Sequence, residues 1–271
     1  MALILVDRDL CTRCGICSLV CPVRVIDPVD ELTLPRVPPG KDSLCIRCGH
    51  CEAACPSGAF ILSERTTMGP GSPAATEIPP ETLGTYLKSR RSVRHFKPDP
   101  VDRQTIEEIL DIARYAPSGG NRQPVEWLVL HDRAGVRRIA ELTMEWIRGF
   151  AGTGHPMGSY APVLTAAWDG GEDVVCRGAP HLLVPYIPEG NPMALTDAII
   201  ALTHVDIAAP SFGVGTCWAG FVAIALAAHP PVREALGLPV GRVPAHAMML
   251  GYPGYRMYRI PERNPLRVTW R

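Results

Sequence analysis

The chain has 271 residues, with 27 basic and 27 acidic side chains, so its formal net charge is zero. Such a balance gives no global field to draw in nucleic acid or an anionic membrane, and no apolar run approaches the roughly 18 residues of a membrane span. The length is enough for two domains. Met1–Val6 reads as a short apolar strand running into Asp7, Arg8 and Asp9, not as a signal peptide.

Eight of the ten cysteines then fall into two copies of one spacing. The first is Cys11-x2-Cys14-x2-Cys17-x3-Cys21-Pro22 and the second Cys45-x2-Cys48-x2-Cys51-x3-Cys55-Pro56. This is the run of the bacterial two-cluster ferredoxins, in which the fourth cysteine of each run ligates the other cluster. On that pattern Cys11, Cys14, Cys17 and Cys55 hold one [4Fe–4S] cluster, and Cys45, Cys48, Cys51 and Cys21 hold the second. Gly15 and Gly49 repeat where backbone must approach sulfide. Two other readings compete. Disulfides suit a small secreted domain, and zinc uses two CxxC pairs with a longer gap, often with histidine. A double run with its prolines is over-determined for either. Thiolates and clusters point to the cytoplasm of a cell tolerant of low oxygen. Cys176 and Cys217 lie outside the runs and read as buried small apolar residues.

The cysteine-rich unit spans 1–62, with Val23–Ser43 a hairpin or loop between the runs. Residues 63–80 have the Pro, Gly, Ser and Thr content of a linker. The remainder, 81–271, changes character. A helix over Glu81–Arg90 places Leu83 and Leu87 at i, i+4. Asp102–Tyr115 puts Ile106, Ile109, Leu110 and Ala113 on one helical face. Val125–His131 reads as a strand and Arg133–Phe150 as a helix. His181–Ile187 and Ala245–Leu250 are candidate core strands. Ala198–Ala228 reads as buried helix, loop, helix. The class is α+β or α/β.

Four segments of this second part carry candidate chemistry. Arg90-Arg91-Ser92-Val93-Arg94 is a cluster of guanidinium forks with a hydroxyl, which suits a phosphate and a planar acceptor edge, or alternatively a solvated basic face. The loop from Ala116 to Pro124 contains Asn121 and Gln123, able to read amide edges. Gly213–Gly220 is a small-residue stretch through which backbone N–H groups could reach a flat ligand. The end of the chain sets Gly251-Tyr252-Pro253 before Arg256, Arg259 and Arg263, which on its own also reads as a solvated basic terminus. His204 and Asp206, in an apolar helix, read as a satisfied core or dimer-contact pair. Trp218 either lines a pocket or fills the core. No Ser-His-Asp set, zinc pair, P-loop or GxGxxG loop is visible.

Taken in order, RRSVRHF, APSGGNRQP, GVGTCWAGF and the GYP–Arg tail resemble the flavin-dependent nitroreductase family, from about Pro80 to Arg271. With the N-terminal unit, the chain resembles a ferredoxin-fused member of it. The resemblance implies an α/β sandwich with an antiparallel central sheet, FMN at a homodimer interface, and an overall α+β class. It implies that Arg90, Arg91, Ser92 and Arg94 contact the FMN phosphate, ribityl chain and N1/O2 edge, with Arg94 tuning the flavin. Asn121 would bond the pyrimidine end. Ala219 and Gly220 would present backbone N–H near N5. Arg259 and Arg263 would close on the phosphate. Family members often have Glu where Ala219 stands, so an acid near the substrate is missing here.

The expected activity is reduction of a small electron-poor substrate, a nitroaromatic or quinone, with electrons relayed through the two clusters to FMN and no catalytic acid–base set. An external redox protein is an expected donor, and NAD(P)H is not excluded. Nucleic acid and membrane are not expected partners. The rival readings are an electron-transfer module between proteins, and the same fold carrying out ene reduction or reductive dehalogenation.

Overall fold

The computed structural model describes residues 4–30, 32–63 and 77–271. Most of the linker expected at 63–80 lies outside the described residues. The chain divides into two compact units, one comprising the described residues of Met1–Ile78 with Gly120–Arg122, the other Pro79–Gly119 with Gln123–Arg271. No helix of the described residues is long and apolar enough to cross a membrane.

In the first unit two short strands, β1 (Ile4–Val6) and β2 (Phe60–Leu62), pair antiparallel. Two four-residue helices, α1 (Ile16–Leu19) and α2 (His50–Ala53), follow Gly15 and Gly49. Both glycines take left-handed backbone, φ 75° and 77°, which costs a residue without Cβ nothing. The two cysteine runs thus fold as copies. Val25, Ile26 and Phe60 fill a small core beneath them together with Cys17 and Cys51. The described residues of the 23–43 segment are irregular apart from a turn of helix starting at Asp42.

The second unit is built on a five-stranded antiparallel sheet. Its strands are β3 (Glu126–Leu130), β4 (His181–Pro188), β5 (Gly215–Trp218), β6 (Arg242–Pro244) and β7 (Met248–Gly251). The order is β3-β4-β7-β5, with β6 also on β4. Neighbouring residues of a strand face opposite sides, and the core divides accordingly. Leu182, Val184 and Met249 pack with α5 (Arg133–Arg148), α6 (Ala161–Asp169), α8 (Gly220–Ala228) and α9 (Pro230–Glu234), while Leu183, Met248 and Leu250 pack with α4 (Arg103–Ala113) and α7 (Ala194–Ala208). Burial on both faces is why β4 reads as a continuous apolar run instead of alternating.

Asp102 and Asp132 cap α4 and α5 by accepting from Thr105 N (2.8 Å) and Gly135 N (2.7 Å). Along α5, Val136, Ile139, Ala140, Thr143, Met144 and Ile147 are buried, the spacing of one helical face. Helix α3 (Pro80–Ser89) has no buried residue, and Leu83 and Leu87 are exposed. Two expectations are corrected. Gly213–Gly220 is not simply a loop, because Gly215–Trp218 forms β5 on β7. Helices α6 and α9 were not anticipated.

The first residue of β4, buried His181, pairs with the half-buried His131. The His181 ring stacks on His131 with centroids 4.3 Å apart. Val101 N donates to His181 Nε2 at 2.8 Å, and its carbonyl meets His131 Nε2 at 2.9 Å. His181 Nδ1 is buried with no partner. Burial, reinforced by neighbouring His131, lowers the His181 pKa to about 4. Its ordinary value of 6.5 returns on unfolding, so the unfolded chain binds a proton over the window between the two values and the native one does not. Stability is therefore full above about 6.5 and falls as pH drops towards about 4, with a slope from this group of at most about 1.4 kcal/mol per pH unit. Urea unfolding across that window should show this slope, and His181→Gln should flatten it. Equal slopes in the two proteins would remove His181 as the cause.

Candidate functional site

The first unit carries a set of sulfur donors. Cys11, Cys14, Cys17 and Cys55 line one small cavity, and Cys21, Cys45, Cys48 and Cys51 line another. The grouping crosses the two runs, because α1 and α2 pack together and each delivers its trailing cysteine to the other's loop. None of the ten cysteines is in a disulfide. Among the described residues no group of His, Cys, Asp or Glu is set to hold a single metal ion. Burial pushes the Cys51 thiol up to about 11 and raises Cys17. Burial also pushes Cys55 up, but bonds from the Ser57 hydroxyl and the Phe60, Ser57 and Ala59 amides outweigh it and leave that thiol low. Cys17 and Cys51, the two buried members, would need positive charge at close range to stand as thiolates. Four cysteines at each cavity match the ligand number of a cuboidal iron–sulfur cluster.

The second unit holds a cavity of about 750 Å³, within the range of small-molecule sites. Its floor is the Arg90–Lys97 segment, held on both sides. Val93 N donates to Thr216 O at 2.8 Å, Lys97 N to Tyr252 O at 2.8 Å and Gly254 N to His95 O at 2.8 Å. Glycine is required where this segment crosses β5, since a Cβ on Gly215 would lie 2.5 Å from Val93 Cγ2. The small-residue stretch therefore admits the protein's own Val93, where the sequence suggested a ligand.

Asp206 on α7 organises the polar end. It is buried, accepts from Trp218 Nε1 at 3.2 Å and Thr216 Oγ1 at 2.5 Å, and meets Arg90 Nη1 at 3.3 Å. Tyr86 Oη donates to Ile207 O at 2.6 Å, tying α3 to the same helix. Arg90, Arg91, Ser92, Arg94, Lys97 and Arg256 line the cavity together with Val93, Val214, Pro253, Tyr252 and Tyr255. Burial pushes the Cys217 thiol up, partly offset by the Arg94 charge and the Ser92 hydroxyl. A cationic end facing apolar and aromatic walls fits a ligand that joins a phosphate to a flat ring.

Of the residues expected at a flavin, the structure brings together Arg90, Arg91, Ser92 and Arg94. It does not bring the others to the cavity wall. Ala219 is buried and its N–H is spent on Ala247 O at 3.0 Å. Gly220 opens α8, and its exposed backbone does not line the cavity. Asn121 Nδ2 donates to the carbonyls of Ile46 (3.1 Å) and Arg47 (2.9 Å) within the first unit. Arg259 and Arg263 are exposed on an irregular tail, and Arg256, nearer β7, takes the place in the wall. Trp218 packs in the core and serves Asp206. Lys97 carried no signal in the sequence, whereas Arg256 stood there only as part of the basic tail and Asp206 as half of a satisfied core or dimer-contact pair. An acid among mostly apolar residues, as at both Asp197 and Asp206 of α7, was the available signal.

Comparison with known proteins finds a family match in each unit. The nitroreductase family model matches residues 87–252, and a 4Fe-4S dicluster domain model matches residues 10–60. A candidate NADH dehydrogenase/NAD(P)H nitroreductase of Archaeoglobus fulgidus is 30% identical over 185 residues, covering 67% of this chain and 93% of that protein. A 4-nitrobenzoate reductase of Nocardioides sp. is 29% identical over 204 residues, covering 64% of this chain and 81% of that protein. A nitroreductase with bound FMN from Desulfitobacterium hafniense shares the fold, with a TM-score of 0.57 and 22% identity over 69% of this chain and 97% of that one.

Removing Asp206 should leave Arg90, Thr216 and Trp218 without their acceptor. Asp206→Ala should destabilise the second unit by about 3 kcal/mol, the scale for breaking a buried pair, read from its urea unfolding transition. A shift under about 0.5 kcal/mol, the level of ordinary surface substitutions, would show that the carboxylate organises nothing.

Proposed function

The chain belongs to the nitroreductase family, and from that premise we propose that it reduces a small electron-poor aromatic acceptor, of nitroaromatic or quinone type, at FMN with electrons relayed from two [4Fe–4S] clusters. The observation that carries this reading is the pairing in one chain of two four-sulfur cavities with a cationic, aromatic-walled cavity beside β5. FMN, when bound, exchanges electrons one or two at a time and delivers them to the acceptor, the chemistry that the side chains themselves lack.

The chain's own residues do the rest. Arg90, fixed by Asp206, and Arg91, Lys97 and Arg256 would hold the phosphate by charge-assisted bonds. Ser92 would meet the ribityl chain. Arg94 would lie along the N1/O2 edge, where a cation favours the reduced, anionic flavin. Cys11, Cys14, Cys17 and Cys55 would hold one cluster, and Cys21, Cys45, Cys48 and Cys51 the other. The reading assigns 1–62 to electron entry, 63–80 to a linker and 81–271 to reduction of the acceptor. The unburied apolar side of α3, with Leu83 and Leu87, supports a homodimer that covers it. A reducing cytoplasm suits eight ligand thiolates, and a redox protein is the proposed donor. The Nocardioides relative, named for a nitroaromatic, supports that acceptor class.

Purification without oxygen should yield about eight irons and one FMN per chain. Chemically reduced protein should then turn over a nitroaromatic. Flavin that reoxidises only with a redox protein would instead mark an electron-transfer module. Two variants separate the cofactors. Arg90→Ala should weaken FMN binding at least about tenfold, the worth of one charged hydrogen bond, with iron unchanged. Cys14→Ala should lose or degrade one cluster with FMN retained. Unchanged flavin in the first, or full iron in the second, would overturn the corresponding ligand assignment.

A further inference from the structure

A second cavity of about 560 Å³ shares Arg94 and His95 with the first. Its remaining walls are the first turn of α5 and the loop that leads into β4, and they carry Arg133, Arg137 and Arg177 with Glu172 and Asp173. Four guanidinium groups and two carboxylates therefore line one concavity, an excess of positive charge. Asp173 turns both oxygens into its own loop, accepting from the amides of Val175 (3.0 Å), Cys176 (2.8 Å) and Gly178 (3.0 Å). Glu172 reaches Arg177 only at 3.8 Å, in an exposed geometry, where an ion pair is weak. Arg137 pairs with Glu141 at 3.3 Å and lies over the Trp168 ring. Among the described residues, Arg94 and Arg133 have no carboxylate within ion-pair reach. Arg177 is held at φ 58°, a left-handed conformation that costs a side-chain-bearing residue strain.

Cations converging on a hollow repel each other, and an oxyanion entering it relieves that repulsion. Guanidinium forks match a carboxylate or phosphate two bonds at a time. We propose that this cavity is an oxyanion subsite that takes the carboxylate of the aromatic acceptor, with Arg133 and Arg177 as its specificity-determining residues. Because Arg94 borders both cavities, an acceptor anchored here by its carboxylate would be presented beside the flavin. This assignment deepens the reductase reading and rests on it.

The test uses the full-length protein with FMN and clusters in place. Calorimetric titration compares 4-nitrobenzoate with 4-nitrobenzamide, which has the same shape without the charge. The acid should bind at least tenfold more tightly. Arg133→Gln and Arg177→Gln should each remove most of that preference while leaving the amide's affinity and the flavin content unchanged. Arg133 is exposed at the start of α5, so its replacement leaves the fold intact even if Arg177 proves structural. Equal affinity for acid and amide, or variants that weaken both alike or neither, would overturn the subsite. Inorganic phosphate that displaces 4-nitrobenzoate at a lower concentration than benzoate does would give the cavity to a phosphate-bearing donor, and that too overturns the carboxylate assignment. Binding and turnover separate the two readings. Selective binding of 4-nitrobenzoate without its reduction by the reduced protein would remove the reductase reading and leave the subsite. Reduction of acid and amide with the same kcat/KM would remove the subsite and leave the reductase.

Discussion

A carboxylate buried under a guanidinium sets the geometry of the second unit's cavity. Asp206 sits in a mostly apolar helix, and burying it alone would be costly. Thr216, Trp218 and Arg90 supply the hydrogen bonds and charge that offset this. In return the three partners are oriented from one point. Arg90 is thereby anchored at the start of a segment whose next residues are hydrogen-bonded to β5 and to the turn after β7. The cations of that segment face the cavity because the backbone beneath them has no freedom to turn them elsewhere. Gly215 and Gly251 complete the fit. A side chain at either would collide with Val93 on one side or with Pro180 and Phe96 on the other.

The first unit solves a different problem. A domain of about sixty residues buries too little apolar surface to be secure by packing alone. Its core contains Val25, Ile26 and Phe60, with cysteines forming much of the rest. Cross-linking the two runs through shared clusters would replace the missing core, since metal binding free energy is also folding free energy. The crossed grouping of sulfurs makes each half depend on the other. This is why α1 and α2 can be only four residues long and still be placed.

Arginine is used in three ways in the second unit. Arg90 is paired and half-buried, so it positions. Arg94 borders both cavities without a carboxylate partner, so its charge is available to whatever occupies them. Arg133 and Arg177 face only the second hollow. The chain as a whole is neutral, so this local excess of positive charge belongs to the site and not to the composition. An anionic group entering either cavity meets guanidinium first.

The sequence alone was enough for whatever depends on local spacing. The cysteine runs, the capped and periodic helices α4 and α5, the apolar strand β4 and the arginine cluster are all legible because neighbouring residues decide them. The crossed sulfur grouping was legible through the repeat itself. What the sequence could not decide was the destination of each polar group over long range. Asp206 read as a satisfied core residue, yet its partners stand at positions 90, 216 and 218, brought together by antiparallel pairing and by α7 packing on the sheet. Ala219 carried a plausible backbone donor until the fold committed that N–H to Ala247. Asn121 carried a readable amide until it met the carbonyls of Ile46 and Arg47. Strand β5 looked like a loop because its small residues answer to Val93, some 120 residues earlier, and not to their neighbours. Spacing along the chain determines which chemistry is present; only the tertiary structure decides which donors and acceptors remain unspent, because each hydrogen bond made inside the fold removes one from the site.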